Sequence, residues 1–353
     1  MRILLHAGHF KTGSTALQVA LGRQREHLLR QGVLVPRTPR GNHGYLLNPL
    51  HAQRFQQAMP QLRQEIHAAS LQGANWTVLS AELLSYLHPP QLQELREALA
   101  DWPIEVLLVL RPWREYLPAR YAQNVFSGDS QSFAQWLEQL PDEGHPDADF
   151  ALVLRRLAGM TKALHVVPYG PDAAFLALGI CVGLADRWWQ PAEQAEAPIN
   201  PRMDWQEREL LRFCNGRIGA LQGRSPDAKN RQAVEPWRAE PPILARDFVR
   251  SESQKQTAWV EALASWVQTR AEKVCLAELL RAERVEGWAS RLQASLPPDS
   301  AVHWDMQAFS HLGATEERLL HEQLWAESAL QKAAEQMLQA WQAWSHEKSA
   351  GVG

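Results

Sequence analysis

The run His6-Ala7-Gly8-His9-Phe10-Lys11-Thr12-Gly13-Ser14-Thr15 constrains this chain more than any other stretch, because two glycines bound a loop that turns an apolar strand into a helix. The residues before it, Met1 to Leu5, are almost all apolar, as a parallel strand buried on both faces would be. After it, Leu17, Leu21 and Leu28 recur at helical spacing around Arg23, Gln24 and Arg25. A strand, loop and helix in this order leave free N–H groups and the positive end of the helix dipole at the turn. Gly8 and Gly13 let the backbone approach an anion closely.

Against the nucleotide-binding pattern G-x-x-x-x-G-K-[ST], Gly8, Gly13 and Thr15 fall in place. Ser14 stands where the lysine belongs, and the lysine is Lys11, inside the loop. ATPases and GTPases use the lysine at the missing position on the β/γ-phosphates and hold magnesium with the next hydroxyl. The run Gly8-x-x-Lys11-Thr12-Gly13-Ser14-Thr15, with Leu17-Gln18 after it, resembles instead the 5′-phosphosulfate loop of sulfotransferases that use 3′-phosphoadenylyl sulfate. It is most similar to the bacterial branch that sulfates carbohydrates. The resemblance implies an α/β, P-loop NTPase-like three-layer fold with a mainly parallel sheet. It also implies that Lys11, Thr12, Gly13, Ser14 and Thr15 bind the co-substrate, with Lys11 catalytic as well, and that no metal is needed.

Further along, Val33 to Pro36 reads as a short strand, and Arg37 to Gly44 as a polar loop in which the resemblance points to His43 as a substrate-side histidine. Leu50 to about Gln72 is helical in pattern, with a break expected at Pro60. Trp76 to Ser80 reads as a strand running into Glu82, at the strand end where ligands bind in open α/β sheets. In several carbohydrate sulfotransferases of the family resembled, a glutamate so placed is the general base, and His43 stands as the second candidate for that catalytic role. A local reading is equally open, with Ser80 as helix cap and Glu82 in the first turn.

Ile104 to Leu110 is the clearest strand and delivers Arg111, Tyr121 and Gln123, which resemble the family's 3′-phosphate segment. Its usual serine is here Ala119, so the position expected to share the phosphate with Arg111 carries no hydroxyl. Asp149 to Met160 reads as a helix and Ala163 to Val167 as a strand. Phe175 to Ile180, Asn200 to Met203 and Glu209 to Asn215 resemble later family segments in the expected order, and Ile243 to Phe248 resembles their end.

The division expected is a sulfotransferase-like α/β domain over 1–250 and a helical C-terminal region over 251–353. Arg217 to Pro242 reads as a loop, with Arg224, Lys229, Arg231 and Arg238 as basic surface residues. Trp259, Leu263, Trp266 and Val267 mark one apolar helix face, and Leu319 to Trp341 a last helix beyond a Pro297-Pro298 break. Seven of the fifteen tryptophans follow Ser253, so this tail is expected to pack, through its own core or by self-association or a protein partner.

A net charge of -3 gives no reason to expect nucleic acid. Three widely spaced cysteines argue against a disulfide framework or a zinc site. With no leader-like N-terminus and no span-length apolar run, the expectation is a soluble, cytoplasmic protein with no integral membrane segment. The reaction expected is transfer of a sulfuryl group from 3′-phosphoadenylyl sulfate to a glycan or small-molecule acceptor, releasing 3′,5′-adenosine bisphosphate. A P-loop kinase or NTPase, and a non-catalytic relative acting through its helical tail, stand as alternatives.

Overall fold

The computed structural model describes residues 1–38, 42–44, 47, 52–141, 143–161, 163–184, 188–189, 205–221, 245–270, 272–275, 282–296, 316–319 and 331–350. Two compact units are present. One comprises Met1–Tyr116, Pro141–Pro201 and Ala282–His311, and the other Leu117–Leu140, Arg202–Arg281 and Leu312–Gly353.

The first unit is built on five parallel strands: β1 (Arg2–His6), β2 (Val33–Leu34), β3 (Trp76–Ser80), β4 (Ile104–Leu110) and β5 (Ala163–Pro168), in the order β2-β3-β1-β4-β5. β1 is central, with His6 opposite Ser80 on one side and Leu107 on the other. The chain fills one side of β1 before crossing to β4, so the order reverses at β1/β4, the point where ligands settle in open α/β sheets. Ile104 to Leu110 forms a strand because its apolar residues are wanted on both faces, and Val106 to Leu110 are fully buried. Leu4, Val78, Leu107 and Val109 share one core with Leu17 and Leu21 of α1 (Ser14–Arg23) and Leu178 and Val182 of a helix at Ala173–Val182. The apolar pattern that read as one first helix is divided at Gln24 into α1 and α2 (Arg25–Arg30).

Pro60 does not break its helix. α3 runs through Ala52–Leu71 with the proline inside. An internal proline costs about 3 kcal/mol, but Phe55, Met59, Leu62 and Ile66 are buried at helical spacing, and burying each such side chain is worth about 1.5–3 kcal/mol. After β3 comes a 3-10 helix, Glu82–Tyr86, then α4 (Pro89–Ala98). α5 (Trp113–Phe126) leaves β4 and continues into the second unit.

The second unit holds α6 (Phe133–Gln139) and, past the first unit's α7 (Phe150–Ala158) and α8 (Ala173–Val182), α9 (Trp205–Leu221), α10 (Ala245–Gln254) and α11 (Ala258–Arg270). α9 extends to Leu221, so the loop expected from Arg217 does not begin there; its basic residues from Arg224 to Arg238 lie outside the described residues, as do Asn200 to Met203 and Pro297-Pro298. Glu209, Arg212 and Asn215 brace α9: Glu209 accepts from Arg212 Nε at 2.8 Å, and Asn215 Nδ2 donates to the Val125 and Asp129 carbonyls at 2.8 and 2.9 Å. Leu319, expected on a helix, ends a strand: β6 (Glu272–Cys275) pairs antiparallel with β7 (Glu316–Leu319). α12 (Ala282–Ser295) belongs to the first unit, where Trp288 lies 5.6 Å from Trp113, and α13 (Gln331–Ala350) closes the second.

Candidate active site

The Gly8–Gly13 loop leaves the C-terminal end of the central strand and enters α1. Gly13 is the N-cap of that helix and takes φ 84°, a left-handed conformation that glycine adopts without strain. Lys11 also has a positive φ, 63°, which for a residue with a Cβ costs on the order of 1–3 kcal/mol. The compensation comes from β4: Arg111 donates from Nη1 to the Lys11 carbonyl at 3.1 Å. The same guanidinium donates from Nε to Glu115 at 3.1 Å and lies 4.6 Å over the Tyr169 ring. The two segments singled out in the sequence for the two ends of a nucleotide thus meet through one hydrogen bond. Ala119 lies on α5, half-buried. Arg120 of the same helix donates to Asn124 Oδ1 at 2.7 Å.

Within the loop, the Thr12 hydroxyl donates to the His9 carbonyl at 2.6 Å and stands 3.4 Å from Ser14 Oγ, both side chains being buried. Gly8 is required by space: a Cβ there would lie 2.2 Å from Ser14 Oγ and 2.8 Å from the His6 ring. The His9 ring packs among Tyr116, Phe150 and Tyr86 at 4.6, 5.0 and 5.7 Å, and its Nε2–H donates to the Pro146 carbonyl at 3.0 Å. Buried Asp147 accepts from both the Tyr86 and Tyr116 hydroxyls. The loop's first half is therefore held in a rigid aromatic box.

Behind the loop, the ends of β1 and β3 are joined by polar side chains. His6 Nδ1 is 2.8 Å from Ser80 Oγ, which also receives Gln18 Nε2–H at 3.2 Å. His43 completes this network. Ser80 N–H donates to its Nδ1 at 3.0 Å, and its Nε2–H donates to the Pro36 carbonyl at 3.2 Å. His43 is fully buried, and desolvation lowers its pKa to about 4 against the opposing effect of those two backbone hydrogen bonds. Burial likewise brings His6 down to about 4. Both rings are neutral near pH 7.

Ser80 does not cap a helix. Its hydroxyl is engaged by His6 and Gln18, and the residue preceding the 3-10 helix is Ala81, whose N–H donates to the His6 carbonyl at 3.0 Å. Glu82 follows at once, half-buried, at the same sheet edge as the loop. The roles of His6, of the Arg111 bond to Lys11 and of Tyr169 are not readable from local pattern, since each depends on which segments the sheet brings together; for His6 the one available signal is a histidine ending an apolar strand before a glycine loop.

Among the described residues no group of His, Cys, Asp and Glu is arranged to hold a metal, and no helix is long and apolar enough to cross a membrane. No family model and no curated protein matches the chain. Three solved chains do. One, a sulfotransferase from Alicyclobacillus acidocaldarius, is similar with a TM-score of 0.40 and 12% identity, over 65% of this chain and 99% of its own.

Proposed function

We propose that this protein is a sulfotransferase that moves a sulfuryl group from 3′-phosphoadenylyl sulfate to a hydroxyl or amine of a glycan or small metabolite. The observation that carries this reading is the Arg111 hydrogen bond to the Lys11 carbonyl, which supports a left-handed lysine inside a glycine loop at a helix N-terminus. A lysine there reaches charge from within the loop, as the sequence resemblance implies, and differs from the phosphate lysine of magnesium-dependent NTPases.

In the reaction, the acceptor oxygen or nitrogen forms a bond to sulfur while the bond from sulfur to the bridging oxygen breaks. The electron pair of that bond stays on the departing 3′,5′-adenosine bisphosphate, and the acceptor proton passes to a carboxylate. Lys11 stabilises the charge gathering on the bridging oxygen, and the N–H and O–H groups of Thr12, Gly13, Ser14 and Thr15 hold the phosphate and sulfuryl oxygens. Arg111 turns its remaining donors to the 3′-phosphate. Glu82 takes the proton. His43 is assigned a positioning role, because both its nitrogens are committed to backbone groups and its ring is enclosed.

Titration calorimetry with 3′,5′-adenosine bisphosphate and with 5′-AMP, in magnesium and in EDTA, tests this. The bisphosphate should bind more tightly than 5′-AMP and equally well in both buffers. Binding that requires magnesium would support a kinase or NTPase. Absence of binding to either nucleotide would remove the enzyme reading altogether.

A further inference from the structure

His6 ends β1 and is fully buried, yet only half of its ring is accounted for by protein. Ser80 Oγ accepts from Gln18, and in the arrangement that also uses the Ser80 hydroxyl hydrogen, that hydrogen goes to His6 Nδ1 and the ring's own hydrogen resides on Nε2. The lowered pKa of the buried ring agrees with this neutral form. That Nε2–H is buried and has no hydrogen-bond partner in the protein, a costly state for a donor. A Cβ placed on Gly8 would lie 3.0 Å from Nε2 and 2.2 Å from Ser14 Oγ. The orphan donor therefore abuts the loop where Gly8 lacks a side chain, beside the first hydroxyl of α1.

We propose that His6 is an anion-binding residue of the loop, its Nε2–H donating to an oxygen of the group that Gly8 to Ser14 hold. This rests on the anion-binding reading of the loop and adds a donor the sequence motif does not contain. Lys11 supplies charge; His6 supplies direction without charge. A neutral N–H donates most strongly to an ionised oxygen, so the site favours the ionised phosphate and sulfuryl oxygens over protonated ones.

Two substitutions separate the ring's two nitrogens. The amide of His6→Asn can still meet Ser80 but stops short of the loop, whereas that of His6→Gln reaches the Nε2 position. Calorimetry on the full chain uses inorganic pyrophosphate and 3′,5′-adenosine bisphosphate as probes, with thermal melting as the check on folding. His6→Asn should weaken both probes by about tenfold, the worth of one hydrogen bond to a charged acceptor. His6→Gln should bind within about threefold of wild type. If both variants bind like wild type, or both lose affinity equally along with melting temperature, the ring only packs and the proposal is overturned. Wild-type binding of pyrophosphate without the bisphosphate would sink the sulfotransferase reading and leave His6 to be judged on pyrophosphate; binding of neither would sink both. Should His6→Asn not fold, histidine nitrogen spectra of the wild-type protein decide. The His6 Nε2–H signal, identified by its loss in His6→Gln, must move when pyrophosphate is added, and an unmoved signal overturns the proposal.

Discussion

The loop edge of the sheet and the aromatic cluster of the second unit are both buried, but they are held by opposite kinds of force. Around the loop, His6, Gln18, His43, Ser80 and Arg111 each have a directional partner. In the second unit, Phe248 stacks on Trp259 at 5.6 Å and meets Trp341 and Trp344 edge-on at 5.3 and 5.9 Å. Beside these rings, Glu252 accepts from Trp259 Nε1 at 3.2 Å and from Lys255 Nζ at 3.0 Å. Hydrogen bonds fix where atoms stand, and stacked rings chiefly add buried area. Damage to the first region should therefore appear in binding and turnover, and damage to the second in stability.

The hardest test of that contrast is Phe248→Ala. Removing the ring at the centre of the cluster should cost about 3–5 kcal/mol in a urea unfolding curve while the dissociation constant for 3′,5′-adenosine bisphosphate stays unchanged. A large change in affinity would erase the distinction. Lys11→Ala is the mirror image. Turnover should fall on the order of a hundredfold to a thousandfold, about 2.7–4 kcal/mol of barrier, with the melting temperature unmoved. Glu82→Gln should behave the same way, since it keeps the side chain's shape and removes only its capacity to take a proton; loss of fold in its place would make Glu82 structural.

Acid should find the loop region. His6 and His43 have folded pKa values near 4 against 6.5 for free histidine, so the unfolded chain takes up protons that the folded chain refuses. Stability is then fully present above pH 6.5 and is lost as pH falls toward 4, by up to about 3 kcal/mol per histidine. Urea midpoints from pH 7 to 4 measure the slope, and His43→Gln should flatten it in part; an unchanged slope would mean that the His43 ring is not responsible. The smallest effect expected is at Arg111→Ala. Loss of hydrogen bonds to a charged acceptor should weaken the bisphosphate by about 1.5–3 kcal/mol and leave 5′-AMP less affected. Equal weakening of the two nucleotides would assign Arg111 to holding Lys11 alone.

The sheet was legible because its strands are runs of apolar residues: Trp76–Ser80 and Ile104–Leu110 appear with the bounds their composition suggests. The loop was legible because glycine spacing is a local property. What escaped depends on distant partners. Glu316–Leu319 carries two glutamates and an arginine in four residues and becomes a strand only by pairing with Glu272–Cys275. His43 reads as a polar-loop histidine until the β3 end wraps it, and Pro60 reads as a breaker until the face of α3 is seen to be buried. Which end of Ser80 matters, its hydroxyl or its place before a helix, could not be read without β1 beside it.

The strand order also sets a schedule. β1 precedes both of its neighbours, β3 and β4, in the chain, and the arginine that pins Lys11 stands one hundred residues after it. Contacts at such separation form late, because loop-closure entropy must be overcome before they repay it. A nascent chain that has emerged only through β3 carries the whole glycine motif and lacks the Arg111 bond to its left-handed lysine. The bond that pins the lysine arrives when β4 docks, so a chain truncated before Arg111 would display the motif in full without that support.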